Sequence, residues 1–181
     1  MKTVAISLLG TTLDQRGKRK KRWEKWRPTI SLCQQEDLLI DRLELLFQPQ
    51  YQRIADVVTE DIRQISPETE VCQHHIEFDD PWDFESVYSQ LHDFSRRYQF
   101  DRDKENYLIH ITTGTHVAQI CLYLLTEANY LPGQLIQTSP SNSINNQLGT
   151  YQIIDLDLSK YDQIASRFSR EHDEGTSYLK G

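Results

Sequence analysis

Leu8-Leu9-Gly10-Thr11-Thr12 closes the first apolar run of this chain, and Ile111-Thr112-Thr113-Gly114-Thr115-His116 closes a central one. Each stretch predicts a short strand that ends in a loop of glycine and threonine, and the second loop leads directly into a helical pattern. In an open α/β sheet the ligand crevice lies beyond the carboxyl ends of the strands, where the strand order reverses. We therefore expect the two loops to belong to one ligand site.

The pattern around these loops predicts an α/β fold. Strand-like apolar runs alternate with amphipathic helical patterns, such as the apolar stripe of Ile54, Val58, Ile62 and Ile65. This alternation predicts a Rossmann-like parallel sheet of about six strands in the order 3-2-1-4-5-6, with helices on both faces and a sixth strand of either direction. Strands are predicted at 3–9, 40–47, 70–78, 106–111, 133–138 and 151–156. Helices are predicted from Pro28 to about Leu39, from Pro49, from Asp80-Pro81 with Asp80 as the cap, after Thr115, and over 159–172.

In that strand order the first and fourth strands are neighbours, so the two loops meet although about a hundred residues separate them. Glycine allows close approach of a ligand, while threonine hydroxyls and free amides bind phosphate or hydroxyl groups. The predicted ligand-binding residues are Gly10, Thr11, Thr12, Thr112, Thr113, Gly114, Thr115 and His116. Thr138 and Ser139, at the end of the fifth strand, would extend the same rim. Two alternatives stay open: either loop could be a plain strand-end turn, and Thr115 could be only a helix cap.

Charge is distributed unevenly along the 181 residues. The net charge is -7, yet residues 16–27 contain eight of the twenty Lys and Arg residues and only one acidic residue. Trp23 and Trp26 lie in this basic segment, and cations beside aromatic rings suit single-stranded nucleic acid. The predicted RNA-contacting residues are Arg22, Trp23, Lys25, Trp26 and Arg27. The alternative is a solvated charge run whose tryptophans pack on the core.

Several functional classes lack support in the sequence. No apolar run approaches the length of about 20 residues that crosses a bilayer, and the start does not resemble a secretory signal, so we expect a cytoplasmic protein. The three cysteines form no zinc pattern, and the adjacent His74 and His75 point to opposite faces of a strand. We expect neither a metal nor a cofactor, and no motif requires a catalyst.

Three runs carry a specific resemblance to a known family. They are SLLGTTLD at 7–14, WEKWRPTISLCQQED at 23–37 and ITTGTHVAQIC at 111–121. Together they resemble the N-terminal domain of the RtcR family, the sigma54-dependent transcriptional activators of the RNA-repair operon that encodes an RNA ligase and an RNA cyclase. This domain is in turn similar to CARF domains, the Rossmann-like sensors of CRISPR-associated effectors.

The resemblance implies a sensor domain at 1–157 and, at 158–181, a connector helix that leads toward an AAA+ ATPase domain and a DNA-binding domain. The GxxxxGK[ST] motif of such an ATPase does not occur in this sequence. It implies a homodimer whose pocket takes either an RNA end with a 2′,3′-cyclic phosphate or an oligoadenylate. The expected function is ligand sensing rather than catalysis. One alternative is a ring nuclease that cleaves cyclic oligoadenylate, and another is a structural dimerisation or autoinhibitory module.

Overall fold

Six strands form one sheet in the computed structural model, which describes residues 1–142 and 148–155. The strand order is β3-β2-β1-β4-β5-β6, as the sequence predicts. Strands β1 to β5 are parallel and β6 is antiparallel to β5. The strands are β1 (Lys2–Leu8), β2 (Arg42–Phe47), β3 (Glu70–His75), β4 (Glu105–His110), β5 (Gln134–Ser139) and β6 (Thr150–Ile154).

Helices cover both faces of the sheet and bury its alternating apolar side chains. The helices are α1 (Pro28–Cys33), α2 (Gln52–Ile65), α3 (Phe84–Arg97) and α4 (His116–Glu127). One core lies under α3 and α4 and includes Val4 and Ile6 of β1. The other lies under α1 and α2 and includes Ala5 of the same strand. The predicted architecture of a mostly parallel sheet between two helical layers is confirmed.

Four boundaries differ from the predictions by three residues or more. The helix predicted from Pro49 starts with a 3-10 turn (Pro49–Tyr51) and becomes α2 at Gln52, and β3 ends at His75 rather than at 78 because its partner β2 ends opposite it at Phe47. Helix α1 ends at Cys33 rather than near Leu39, because all six of its residues are buried and the polar run at 34–37 must return to the surface. Helix α3 is capped by Asp83, whose side chain accepts a hydrogen bond from the amide of Ser86 at 2.8 Å. Asp80 is not the cap, since its carboxylate closes a turn with the amide of Trp82 before the helix begins.

Parts of the predicted organisation lie outside the described residues. These are the connector at 158–181 with its helix at 159–172; residues 143–147 of the loop between β5 and β6 also lie outside them. Among the helices of the described part, none has the length and apolarity to cross a bilayer. Within residues 1–142 and 148–155 there is also no group of three acidic, histidine or cysteine side chains that could hold a metal ion.

Candidate functional site

A cleft of about 390 Å³ opens at the carboxyl ends of β1 and β4, where the strand order reverses. Ser7 of β1 pairs with His110 of β4, so the loops that follow these strands lie side by side. The cleft is lined by residues 8–13 and 112–115 together with residues that follow β2 and β3. The strand order thus brings the two glycine-threonine loops into one concave surface, which is the expected position for a ligand.

Three of the predicted threonines use their hydroxyls within the protein. The buried Thr113 donates its hydroxyl hydrogen bond to the carbonyl of Leu8 and so ties the two loops together. The Thr112 hydroxyl bonds the backbone of Thr138, accepting from its amide at 2.8 Å. Thr115 caps α4 by accepting from the amide of Ala118 at 3.1 Å. These side chains shape the cleft, and their hydroxyls are not free to bind a ligand in this state.

The remaining polar groups of the two loops are open to a ligand. The hydroxyls of Thr11 and Thr12 have no hydrogen-bond partner among the described residues, and Thr12 is exposed. Gly114 is also exposed and has φ of +90°, a conformation that L side chains rarely adopt. The Ala118 amide is capped by Thr115, while the amides of His116 and Val117 lack partners within the helix and lie at the positive end of its dipole. The cleft therefore offers the Thr11 and Thr12 hydroxyls to an oxyanion; His116 and Val117 follow the lining residue Thr115 but are not themselves among the lining residues.

Gly10 holds the first loop against a buried carboxylate. Its amide donates to Asp14 at 2.8 Å, and Asp14 also accepts from the amide and the hydroxyl of Thr29 at 2.9 and 2.6 Å. A Cβ on Gly10 would lie 2.9 Å from the Asp14 carboxylate and 3.0 Å from the Thr113 methyl group. Burial raises the pKa of Asp14, and the three donors counteract that rise. The loop is therefore fixed by close packing.

A buried chain of hydrogen bonds supports the floor of the cleft. The imidazole of His110 lies between the Ser7 and Thr138 hydroxyls, with both nitrogen–oxygen distances at 2.8 Å. Thr138 in turn contacts Thr112 in the second loop. His110 is fully buried, and this burial lowers its pKa to about 3, so the ring is neutral and donates through one nitrogen only. These hydrogen bonds link β1, β4 and β5 to the second loop.

Aromatic side chains that the sequence analysis did not single out form one wall of the cleft. Tyr51 follows β2, whereas Phe78 and Trp82 follow β3. Trp82 is 62% exposed, and its ring centroid lies 5.4 Å from that of His116. The rule that locates ligand sites at the carboxyl ends of strands also applies to β2 and β3, and could have pointed to these residues. An exposed ring beside amides and hydroxyls suits a base that stacks while its phosphate is bound.

The basic segment packs against α2. Arg22 makes a bidentate pair with the buried Asp61 through Nε and Nη2, both at 2.8 Å, and Arg27 reaches the same carboxylate at 2.7 Å. Both guanidinium groups also lie over the ring of Trp23, at 5.4 and 5.1 Å from its centroid. Arg27 is buried, whereas Lys25 is exposed. Much of the segment is thus docked on the protein body.

A larger cleft of about 650 Å³ lies between the basic segment and α2. Its lining mixes arginines, such as Arg16 and Arg53, with the acidic Asp56, Glu60 and Asp61. This cleft shares no lining residue with the smaller one, although Asp14 and Arg16 of its lining follow β1. Its lining carries charges of both signs, whereas the smaller cleft lies at the point where the strand order reverses, which is the expected position for a ligand.

We expect Thr115→Ala to lower the free energy of unfolding by about 1–2 kcal/mol. The change removes the cap of α4 and the hydrogen bond from the Thr115 hydroxyl to the carbonyl of Pro81, 2.9 Å away. Urea titration of the variant measures the loss. Thr115→Ser keeps the hydroxyl and should lose less than half as much. Equal losses in the two variants would show that the methyl group, rather than the cap, stabilises this turn.

Comparison with protein families gives a match over the whole chain. The model described as "Regulator of RNA terminal phosphate cyclase", RtcR, matches residues 1–181. The transcriptional regulatory protein RtcR of Escherichia coli strain K12 is 55% identical over 181 residues, which cover 99% of this chain and 34% of that relative. The chain thus spans about a third of the length of the curated relative that it matches.

Two solved structures share the fold at low sequence identity. Csm6 of Enterococcus italicus, bound to cyclic hexa-2′-fluoro-hexa-dAMP, matches with a TM-score of 0.64 and 16% identity, over 91% of this chain and 43% of that one. Can2 of Sulfobacillus thermosulfidooxidans, in complex with cyclic tetra-adenylate, matches with a TM-score of 0.51 and 13% identity, over 76% of this chain and 32% of that one. The sheet with its helices therefore has the CARF fold.

Proposed function

The chain belongs to the RtcR family, and we propose on this basis that it is the ligand-sensing domain of a sigma54-dependent activator that controls an RNA-repair operon. The observation that supports sensing is the cleft of about 390 Å³ at the point where the strand order reverses. The structural relatives Csm6 and Can2 are bound to cyclic adenylates, which makes a nucleotide the best candidate for the ligand class.

In the proposed complex a phosphate of the ligand lies against the two loops. The Thr11 and Thr12 hydroxyls and the first amides of α4 donate hydrogen bonds to its oxygens, and the helix dipole favours the negative charge. Gly10 and Gly114 keep the backbone close to the ligand, while His116 and Trp82 offer ring faces for a base. Thr112, Thr113 and Thr115 contribute by holding the loops in place.

We propose an RNA end with a 2′,3′-cyclic phosphate as the signal, and an oligoadenylate as the alternative within the same chemistry. Both combine a phosphodiester with a stacking base, and the cleft groups suit either. We propose that the exposed Lys25 and the half-buried Ser139, the last residue of β5, contact the chain beyond the first nucleotide. RNA contact by Arg22, Trp23, Trp26 and Arg27 stays a prediction, which would require the segment to expose groups that now pack on the body.

Sensing requires two states of different ligand affinity. We propose that two copies of the domain pair, that binding shifts the pair between two arrangements, and that an AAA+ ATPase and a DNA-binding domain respond in the whole regulator. Ile120 and Leu124 lie one helical turn apart on α4 and are 50% and 39% exposed. These two exposed apolar side chains of α4 are the surface that we propose for pairing.

We propose sensing rather than cleavage of the ligand. Among the described residues that line the cleft there is no carboxylate, lysine, arginine or histidine to transfer a proton or to stabilise developing charge, and His116, whose ring contacts that of Trp82, is given only a stacking role. Proximity of a ribose hydroxyl to its phosphate gives at most a slow reaction without such groups.

We expect incubation with cyclic tetra-adenylate at equimolar protein to yield no linear product within one hour. Conversion within that time would favour a ring nuclease.

The test of the proposed function is Thr12→Val, which removes one open hydroxyl and keeps the size of the side chain. We expect at least tenfold weaker binding of a short RNA with a 2′,3′-cyclic phosphate, because a hydrogen bond to a charged group contributes about 1.5–3 kcal/mol. Binding is measured by the ligand-dependent rise in melting temperature. Cyclic tetra-adenylate is titrated in parallel.

Thr12→Ser keeps the hydroxyl and is the matched control, with affinity expected within threefold of the wild type. The melting temperature without ligand should be the same in all three proteins, because Thr12 is exposed and has no hydrogen-bond partner in the described part of the chain. Unchanged binding in Thr12→Val and in Thr11→Val would contradict the proposed site. Failure of both ligands to stabilise the wild type would favour a structural module instead.

A further inference from the structure

A small cavity of about 100 Å³ lies between the basic segment and α1. It is separate from the cleft of about 390 Å³ at the ends of β1 and β4. Its lining includes Arg22, Lys25 and Arg27, and among the described residues no acidic side chain lines it. Its volume is several times what one water molecule needs. Asp61 pairs with both Arg22 and Arg27, but the three cations still outnumber this one carboxylate, and the excess of positive charge favours an anionic occupant.

Among the described residues, the buried side-chain donors that lack a partner belong to two residues of this lining, of which Arg27 also lines the cleft of about 650 Å³. In the described part of the chain, three buried side-chain atoms lack a partner: Nε and Nη2 of Arg27 and Nε1 of Trp26. Both residues line the cavity. A guanidinium and an indole are donors only, so nothing but an acceptor can satisfy them. Buried donors without partners are rare and costly, which makes this coincidence informative.

The free edge of Arg27 has the geometry of an oxyanion fork. Its Nη1 binds Asp61 at 2.7 Å, which leaves Nε and Nη2 as a parallel pair on another edge. Arg22 uses the equivalent pair to hold Asp61 through both carboxylate oxygens. Paired N–H groups of this kind recognise carboxylates and phosphates in a bidentate manner. Because Arg27 is 2% exposed and Asp61 fixes it, the fork is already oriented.

We propose that this cavity binds a tetrahedral oxyanion, a phosphate group, on the Arg27 fork, with the Trp26 indole as a further donor and Lys25 supplying charge. The site goes beyond the proposed function, because none of the residues that line this cavity lines the cleft that we assign to ligand sensing; Lys25 alone also has a role in the proposed function, outside that cleft. The phosphate can come from inorganic phosphate or from a nucleic-acid strand, and the recognition chemistry is the same for both.

The first experiment locates the anion directly. Crystals of the protein grown without phosphate or sulfate are soaked in tungstate, an electron-dense analogue of phosphate. We expect an anomalous peak within hydrogen-bond distance of Arg27 Nε, Arg27 Nη2 and Trp26 Nε1. A map with only water at these atoms, or with tungstate at other positions only, would overturn the proposal.

The second experiment measures affinity in solution through the rise in melting temperature with inorganic phosphate, at constant ionic strength. Trp26→Phe removes only the indole donor and should weaken binding at least fivefold. Arg27→Lys keeps the charge but removes the fork, and should weaken binding at least twentyfold. Arg63→Lys, at an exposed position on α2, is the control and should bind as the wild type does. Equal affinities in all four proteins would contradict the site, and Trp26→Phe decides alone if Arg27→Lys does not fold.

A third arm separates the two sources of phosphate and the two sites. A dinucleotide with a 3′-phosphate is compared with the same dinucleotide without it, in the wild type, Trp26→Phe and Thr12→Val. If a strand supplies the phosphate, Trp26→Phe weakens only the phosphorylated form; if inorganic phosphate is the ligand, neither dinucleotide depends on Trp26. Thr12→Val should bind inorganic phosphate normally, so loss of the cleft function leaves this site intact.

Discussion

Asp61→Asn is expected to lower the free energy of unfolding by about 3–5 kcal/mol, which is the range for removing one partner from a buried ion pair. The Asp61 carboxylate is fully buried and accepts three charge-assisted hydrogen bonds from Arg22 and Arg27. Burial alone would raise the pKa of Asp61, but the two guanidinium groups hold it below its ordinary value. An uncharged amide would leave Arg27, itself 2% exposed, as an uncompensated buried cation.

Urea unfolding at pH 7 measures this loss, and the adjacent residue on α2 supplies the control. Glu60 is 60% exposed and pairs with Arg63 at 3.7 Å, so Glu60→Gln should change the free energy of unfolding by less than about 1 kcal/mol. The double variant Asp61→Leu with Arg27→Met removes the two buried charges and leaves Arg22, which is 24% exposed and can reach solvent, so it should recover most of the loss. A loss below about 1 kcal/mol in Asp61→Asn would show that the basic segment does not depend on this carboxylate.

Acid is expected to destabilise the protein through His110, by about 2 kcal/mol between pH 7 and pH 5. Burial lowers the pKa of His110 to about 3, whereas an unfolded histidine titrates near 6.5. Between these two values the unfolded chain binds a proton that the folded chain excludes. The stabilising contribution is therefore complete above about pH 6.5 and is progressively lost as the pH falls toward 3.

The pH effect is isolated by comparing the wild type with His110→Gln in urea unfolding at pH 7 and pH 5. The variant is less stable at pH 7, since it disturbs the hydrogen bonds to Ser7 and Thr138, but it should lose about 2 kcal/mol less on acidification. His75→Gln, at an exposed position of β3, controls for the removal of one histidine. Parallel pH dependences in the wild type and His110→Gln would show that the imidazole is protonated in the folded state.

The fold could be predicted from the sequence because its signals are local. Apolar runs and helical stripes, such as that of Val58 and Ile62, fix the order of the elements, and the crossover rule then gives the sheet. The boundary of α1 was wrong because its end depends on complete burial, which a residue pattern does not reveal. Asp80 and Asp83 are both suitable caps, and they lie only three residues apart. The sequence pattern does not show which of them is close to a free amide of the first helical turn; in the structure it is Asp83.

The candidate site was predictable in position but not in the role of each hydroxyl. The two loops carry similar residues, yet Thr113 faces the carbonyl of Leu8, whereas Thr12 faces solvent. That difference comes from packing between segments about a hundred residues apart. Asp61 could not be predicted as a buried residue for the same reason. It lies next to the apolar stripe of α2 in the sequence pattern, which predicts a surface charge, and its burial depends on Arg22 and Arg27 from a distant segment.

The reversed direction of β6 determines where the described chain leaves the sheet. Thr150 pairs with Ser139 near the cleft, and Ile154 pairs with Leu135 toward the opposite edge. Five residues of a strand extend roughly 15 Å, so Asp155 has no direct access to the loops at Gly10 and Gly114. A ligand bound at these loops would reach the residues joined to Asp155 through a tilt or slide of β6 against β5, in addition to the proposed change of pairing at α4. The backbone hydrogen bonds between β5 and β6 would set how rigidly β6 transmits such a movement.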